Sequence, residues 1–251
     1  MIRIEEELEG TALRLILNQP KANILDAAMI RALREALATK VTDDTRLVIF
    51  EGEGKHFSFG ASVEEHQAEQ AQAMLTEFHG LFRDLAALAV PTCAVVRGQC
   101  LGGGLELASW CSWIVATPSA SLGQPEIRLA VFPPMASILL PWRAGGRAAL
   151  DLCLTGRSLT AQEALDMGII NAVVDDPEIW WRNLVAETLS KTSARSLRYA
   201  ERAVRRSLMR DFEREVAALE SLYVDELMKT HDANEGIAAF LERRKPLYTN
   251  N

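Results

Sequence analysis

From Pro91 to Cys111 the chain reads PTCAVVRGQCLGGGLELASWC, an apolar β-branched run that passes into an apolar helix through three consecutive glycines. Such a handover belongs to a layered α/β unit in which a buried strand delivers the chain to a helix. Glycine weakens a helix, by roughly 1 kcal/mol against alanine at an interior position, so Gly102, Gly103 and Gly104 need another reason to be there. Unpartnered N–H groups at a helix start favour negative charge. The spacing GxxxGGG is not the GxGxxG of a dinucleotide site, and Leu105 and Glu106 stand where a phosphate loop has its lysine and hydroxyl. No GxSxG elbow occurs in the chain. Two readings survive at this level. Either the amides form an oxyanion hole, with Glu106 one turn along facing the same pocket, or the glycines allow close backbone packing beside a solvated glutamate.

The flanking segments extend the α/β pattern. IRIEEEL and ALRLILN, separated by Glu9-Gly10, predict a β-hairpin, and Asp26 caps a helix reaching roughly Ala38. RLVIFEG is a buried strand, and AQAMLTEFHGLFRDLAALAV is a helix that stops before Pro91. WIVAT and ASLGQPE predict short strands and turns. From Ala144 onward the pattern is almost wholly helical, with caps at Thr160 and Asp176 and long amphipathic segments over 193–243. The sheet is expected to be stacked or wound, with a helical C-terminal subregion rather than an independent second domain.

Charge and cysteine content narrow the function. A net charge of −7 gives no electrostatic case for nucleic acid. Cys93, Cys100, Cys111 and Cys153 form neither a CxxC pair nor a zinc-ligand spacing, so they are expected to be reduced packing residues in a cytoplasmic protein with no metal site. The first ten residues lack a signal-peptide run. The most apolar stretch, LAVFPPMASILLPW, is too short to span a bilayer and is broken by prolines.

VVRGQCLGGGLELASWCSWIVATPSASLGQPEI resembles the core of the crotonase (enoyl-CoA hydratase/isomerase) superfamily. GKHFSFGAS, LTGRSLTAQEALDMGIINAVV and EGIAAFLERRKPLY fit the same family in order. The resemblance implies a repeated ββα core over 1–190 that holds an acyl-CoA site. It also implies a helical region over 191–251 that covers the CoA and builds a homotrimer or a dimer of trimers. It implies no cofactor, coenzyme A being part of the substrate. The oxyanion donors would be the backbone N–H groups of Ala61 and Gly103, and the acid/base pair Glu106 and Glu126. Two carboxylates around one water mark the family's hydratases. The rival readings are double-bond isomerisation, thioester or C–C hydrolysis, and a non-catalytic binding protein on the same fold.

Where relatives carry a glycine-rich stretch after GQPEI, this chain has RLAVFPPMAS, so Phe132 and Pro133 are expected to reshape the acyl end of the pocket. With FSFGASVEEH, in which Ser62 replaces a common aspartate, this is similar to hydratases of cyclohexa-1,5-diene-1-carbonyl-CoA. The implied reaction gives 6-hydroxycyclohex-1-ene-1-carbonyl-CoA; a general enoyl-CoA hydratase is the alternative. Further expected substrate contacts are Lys21 and Ala22 in NQPKANIL, the loop residues Ser58, Phe59, Gly60 and Ser62, and Phe240 and Lys245 near the end, with Lys55, Arg243 and Arg244 as lesser candidates. His66 is read as a solvated helix histidine, with a reach into the pocket as the lesser alternative, and His56 as packing the loop or facing water. Trp110 and Trp113 are read as core or interface residues.

Overall fold

The strands divide between two sheets, and the glycine triplet follows the strand that opens the second. The fold is a computed structural model in which residues 1–20 and 22–251 are described. Strands β1 (Ile2–Glu7) and β2 (Ala12–Leu17) form the expected hairpin, with Ile2 opposite Leu17. Helix α1 (Ala27–Lys40) starts where the Asp26 side chain accepts from Met29 N. Then come β3 (Leu47–Gly52), α2 (Ala68–Leu88), β4 (Thr92–Val96), β5 (Gln99–Leu101) and α3 (Gly103–Trp110). Next follow β6 (Trp113–Ala116), β7 (Ser121–Gly123) and α4 (Pro134–Thr155). The strand–strand–helix unit thus occurs twice in direct succession, as β4–β5–α3 and β6–β7–α4. A reduced version precedes them: β3, a one-residue bridge from Ser58 to Cys100, then α2.

The chain continues through β8 (Ser158–Thr160), α5 (Ala161–Asp166), β9 (Ala172–Val173) and α6 (Pro177–Glu187). The large sheet runs β1-β2-β3-β4-β6-β9, parallel except for the hairpin, and the small one β5-β7-β8. Its two faces follow the period of two in the strands. Val48 and Phe50 of β3 join the main core beneath α1 to α4, whereas Leu47 and Ile49 meet Trp181 and Val185 of α6 on the opposite face.

Helices α7 (Ala194–Val204), α8 (Arg206–Met209), α9 (Phe212–Ser221) and α10 (His231–Leu241) complete the chain. Phe212 and Val216 of α9 lie in the same core cluster as Phe82 and Trp110, so the C-terminal helices share the core of the preceding residues. The helical reading after Ala144 needs two corrections. Strands β8 and β9 were not expected; at three and two residues they are too short to show a period. The long amphipathic segments over 193–243 are broken into four helices. One break lies at Arg205, whose buried guanidinium donates to Glu201 and to the Trp110 carbonyl. Another is Thr230, which caps α10.

Trp110 sits in the main core against Phe82 and Phe212, and Trp113 packs beside the second cluster. All four cysteines are free; burial raises their thiols well out of reactive range, Cys111 and Cys153 to about 12. Among the described residues no helix is long and apolar enough to cross a membrane, and no cluster of side chains is suited to hold a metal ion.

Candidate active site

Each glycine of the triplet is explained by what stands next to it. Gly102 has φ 51°, and a Cβ there would lie 2.5 Å from Glu126 Oε1. A Cβ on Gly103 would lie 3.1 Å from Ala61 N, and one on Gly104 2.8 Å from Ser58 Cβ. Across the gap, a Cβ on Gly60 (φ 102°) would lie 3.2 Å from Gly103 N. The Ala61 and Gly103 amides therefore stand side by side, with room between them only because both neighbours lack side chains. Among the described residues neither amide donates to a protein acceptor, so both are free for a ligand oxygen.

The first loop is held rigidly in that register. Ser58 is fully buried; its hydroxyl donates to the Asn23 carbonyl at 2.7 Å and accepts from Gly60 N at 3.0 Å. Leu25 N donates to the Gly60 carbonyl. Ser58, expected to touch substrate, is not in the cavity wall and instead holds Asn23 and Gly60 in register. His56 packs the same loop, accepting from Gln99 N at Nδ1 and meeting the Phe59 ring edge-on at 5.0 Å.

Glu106, buried on α3, accepts from Ala136 N at 2.8 Å and also from the Met135 amide. These are the first free donors of α4, because Pro134 opens that helix without an N–H. The FPPM segment therefore has a role not foreseen from the sequence: it builds the helix N-terminus on which Glu106 is anchored. Glu126 is half-buried in the short helical turn after β7. With its amide nitrogen facing the carboxylate, fully buried Gln124 donates to both Glu126 oxygens at 3.1 Å.

Burial raises both acids, Glu106 to about 7, and Glu126 is lifted further by the Glu106 charge beside it. The pair thus keeps a proton near neutrality, so that one member can accept while the other donates.

A cavity of about 820 Å³ opens in front of this arrangement. Of the residues expected from sequence, Ala22, Phe59, Gly60, Ala61, Ser62, Glu126 and Phe240 line it together, whereas Gly103 and Glu106 are buried and not in the lining. Lys21 lies outside the described residues. Phe132 and Pro133 are not in the lining; Phe132 packs edge-on against Tyr223 at 5.3 Å, and Pro133 is buried ahead of α4. Lys245 is exposed and away from the cavity, because left-handed Arg243 (φ 56°) turns the chain so that Arg244 and Pro246 line it instead. Lys55 belongs to a separate hollow with Asn18 and His56.

His66 also departs from expectation. It lines the cavity, its Nδ1 contacts the Ser62 carbonyl at 2.7 Å, and burial lowers its pKa so that the ring stays neutral. The short helical turn Glu64–His66 carries it to the cavity wall, which is the lesser of the two alternatives the sequence left open. The residues missed from sequence are Gln124, Arg128 and the Met135 and Ala136 amides. Gln124 stands inside the GQPE motif, and Arg128, the other cation of the lining, follows that motif closely.

The doubled strand–strand–helix unit agrees with the comparison of the whole chain. Residues 7–251 match the enoyl-CoA hydratase/isomerase family, and the protein belongs to it. Cyclohexa-1,5-dienecarbonyl-CoA hydratase of Thauera aromatica is 45% identical over 250 residues, covering 99% of this chain and 97% of that one. Among solved structures, an enoyl-CoA hydratase from Mycobacterium avium superposes with a TM-score of 0.85 at 26% identity, covering 98% of this chain and 97% of the other. An enoyl-CoA hydratase/carnithine racemase from Magnetospirillum magneticum gives 0.75 at 30% identity, covering 100% and 96%.

Proposed function

We propose that this protein is a hydro-lyase that adds water reversibly to an unsaturated acyl-CoA, with cyclohexa-1,5-diene-1-carbonyl-CoA as its preferred substrate. One observation carries the reading: the free amides of Ala61 and Gly103 stand side by side, Ala61 and Glu126 line one cavity, and the charge of buried Glu106 acts on Glu126 so that the two acids hold a proton between them. The thioester oxygen sits between the amides, which stabilise the negative charge it gains as the enolate forms; one such donor contributes about 3–4 kcal/mol in comparable sites. One carboxylate takes a proton from water as the oxygen bonds to the β carbon, and the other returns a proton to carbon.

In the cyclic dienoyl thioester the charge spreads over the second double bond. The proton can then enter at the far end of the dienolate, leaving a double bond conjugated with the thioester. The product is 6-hydroxycyclohex-1-ene-1-carbonyl-CoA, and water is the only co-reactant. Arg128 and Arg244 in the lining suit the phosphates of CoA; Arg244 is held by Glu235 and Glu242, and Arg128 forms no ion pair among the described residues. Phe240, 55% exposed at the mouth, suits the adenine.

Retention of both acids weighs against the isomerase and hydrolase readings, and the proton-holding state of the pair weighs against a purely binding role. The likeness to the relative in Thauera aromatica supports the choice of substrate. The test is purified protein with the cyclic dienoyl-CoA and with crotonyl-CoA, following alkene absorbance and the mass gain of one water. We expect kcat/KM at least about tenfold higher for the cyclic ester. A higher value for crotonyl-CoA transfers the assignment to linear substrates, and no water gain with either ester overturns the hydratase reading.

A further inference from the structure

Tyr223 is buried against Phe132 and against His66 of the cavity wall, without a partner for its hydroxyl. It lies in a single π-helical turn, Leu222–Glu226, between α9 and α10. Such turns are rare, and they re-aim a side chain at the expense of regular hydrogen bonding, often at functional sites. The side chain is 1% exposed, and its hydroxyl oxygen has no hydrogen-bond partner among the described residues. Its ring meets Phe132 edge-on at 5.3 Å and His66, a residue of the cavity lining, at 6.4 Å. Both carboxylates, Glu126 ahead of Glu106, act on it electrostatically and, with burial, keep the phenol protonated. A buried donor left unpaired is destabilising, so its retention beside a reaction site points to a ligand atom as the missing partner.

We propose that Tyr223 is a positioning residue whose hydroxyl donates a hydrogen bond to the oxygen added to substrate: the attacking water in hydration, the departing hydroxyl in the reverse direction. The inference rests on the hydratase reading. The chemistry of the acyl group supports it. Apart from the thioester, which belongs to the Ala61 and Gly103 amides, a cyclic dienoyl group is hydrocarbon, and the one polar atom it acquires is this oxygen. One carboxylate engages a proton of the water and the other holds its proton for carbon, so a neutral phenol supplies the remaining contact, a donor to the water's lone pair. Tyr223 keeps its proton throughout, and no bond to it is made or broken. The aromatic contacts with Phe132 and His66 hold the ring, so Phe132, introduced by the unusual FPPM segment, acts through Tyr223.

The test is Tyr223→Phe, which keeps the ring and removes only the hydroxyl. Binding of 6-hydroxycyclohex-1-ene-1-carbonyl-CoA and of cyclohex-1-ene-1-carbonyl-CoA is measured by calorimetry with and without the substitution, in a Glu126→Gln background that prevents turnover. We expect the substitution to weaken the hydroxylated ester roughly tenfold and to leave the ester without hydroxyl within about twofold. In the otherwise native protein, kcat for hydration should fall roughly 10- to 100-fold while KM moves less than about threefold, with the melting temperature unchanged or raised. Equal effects on the two esters, or kcat within about twofold of the native value, overturn the proposal. Because the binding comparison needs no turnover, it decides the role of Tyr223 even if the parent chain hydrates neither test substrate.

Discussion

A carboxyl group sunk in an apolar wall holds its proton more tightly, and two side by side release theirs in sequence. Glu106 and Glu126 are arranged for that sequence, and their partners divide the work. Glu106 receives charge-stabilising N–H donors from the start of α4, whereas Glu126 is raised by burial and by the Glu106 charge, and is aimed by the Gln124 amide. Glu126→Gln should therefore lower kcat by at least about 10²-fold while the affinity for a CoA ester stays within about threefold. Gln124→Leu should lower kcat by roughly tenfold, through misorientation of Glu126, without changing which ester is preferred. Steady-state rates with direct ligand titration check both; unchanged kcat in Glu126→Gln removes the two-carboxylate scheme. At this scale the candidate acids and amides could be named from sequence because they stand in short motifs of the family the chain resembles. Tyr223 was not, because nothing about a tyrosine in a helical stretch reveals a π turn or a hydroxyl left without a partner.

At the junction of β5 and α3, backbone geometry and chemistry coincide, and the three glycines separate into different tasks. Gly102 carries a left-handed φ and faces the Glu126 carboxylate, Gly103 borders the Ala61 amide, and Gly104 lets α3 pack on Ser58. Gly103→Ala places its methyl 3.1 Å from Ala61 N and 3.2 Å from Phe78 Cζ, beside the amide proposed to receive the thioester oxygen. It lies in a helix that alanine favours. The expected result is a folded protein whose kcat/KM has fallen by roughly 10²- to 10³-fold. Gly102→Ala should lose activity as well, but with a lower melting temperature, since a left-handed residue with a Cβ costs about 1–2 kcal/mol before the contact with Glu126 is counted. Circular dichroism melts beside the rate assay separate the two; a Gly103→Ala enzyme with native kcat/KM would falsify the placement of the hole. The handover from strand to helix was visible in sequence, as were the hairpin, the Asp26 cap and the end of α2 before Pro91. What sequence could not show was the junction of distant segments: that α4 begins beneath Glu106, or that residue 58 bridges to β5. Those contacts are set by the stacking of one strand–strand–helix unit on the next, which leaves no periodicity in the chain.

Over the whole molecule, the C-terminal helices supply part of the core and part of the cavity wall, so site and fold share one stability. The acid pair acts against that stability. In the folded chain Glu106 has its pKa raised from 4.5 to about 7, so between those values the native state binds a proton that the unfolded state has released. Its contribution is therefore fully present below about 4.5, declines as pH rises through the window, and is gone above about 7. Asp232 and Glu235, both lowered to about 2 by their hydrogen bonds, have the opposite sign, contributing stability above their unfolded values and losing it in acid. A comparison of Glu106→Gln with the parent cancels those groups. The glutamine retains an acceptor for Ala136 N and has no charge to bury. The variant should match the parent's melting temperature near pH 4.5 and exceed it by at least about 2 °C at pH 8, even though its turnover is lost. Calorimetric scans of the two proteins across that range decide the matter. A difference that does not change with pH would mean that Glu106 is not held in its protonated form by the fold, and the acid/base assignment of the pair would fall with it.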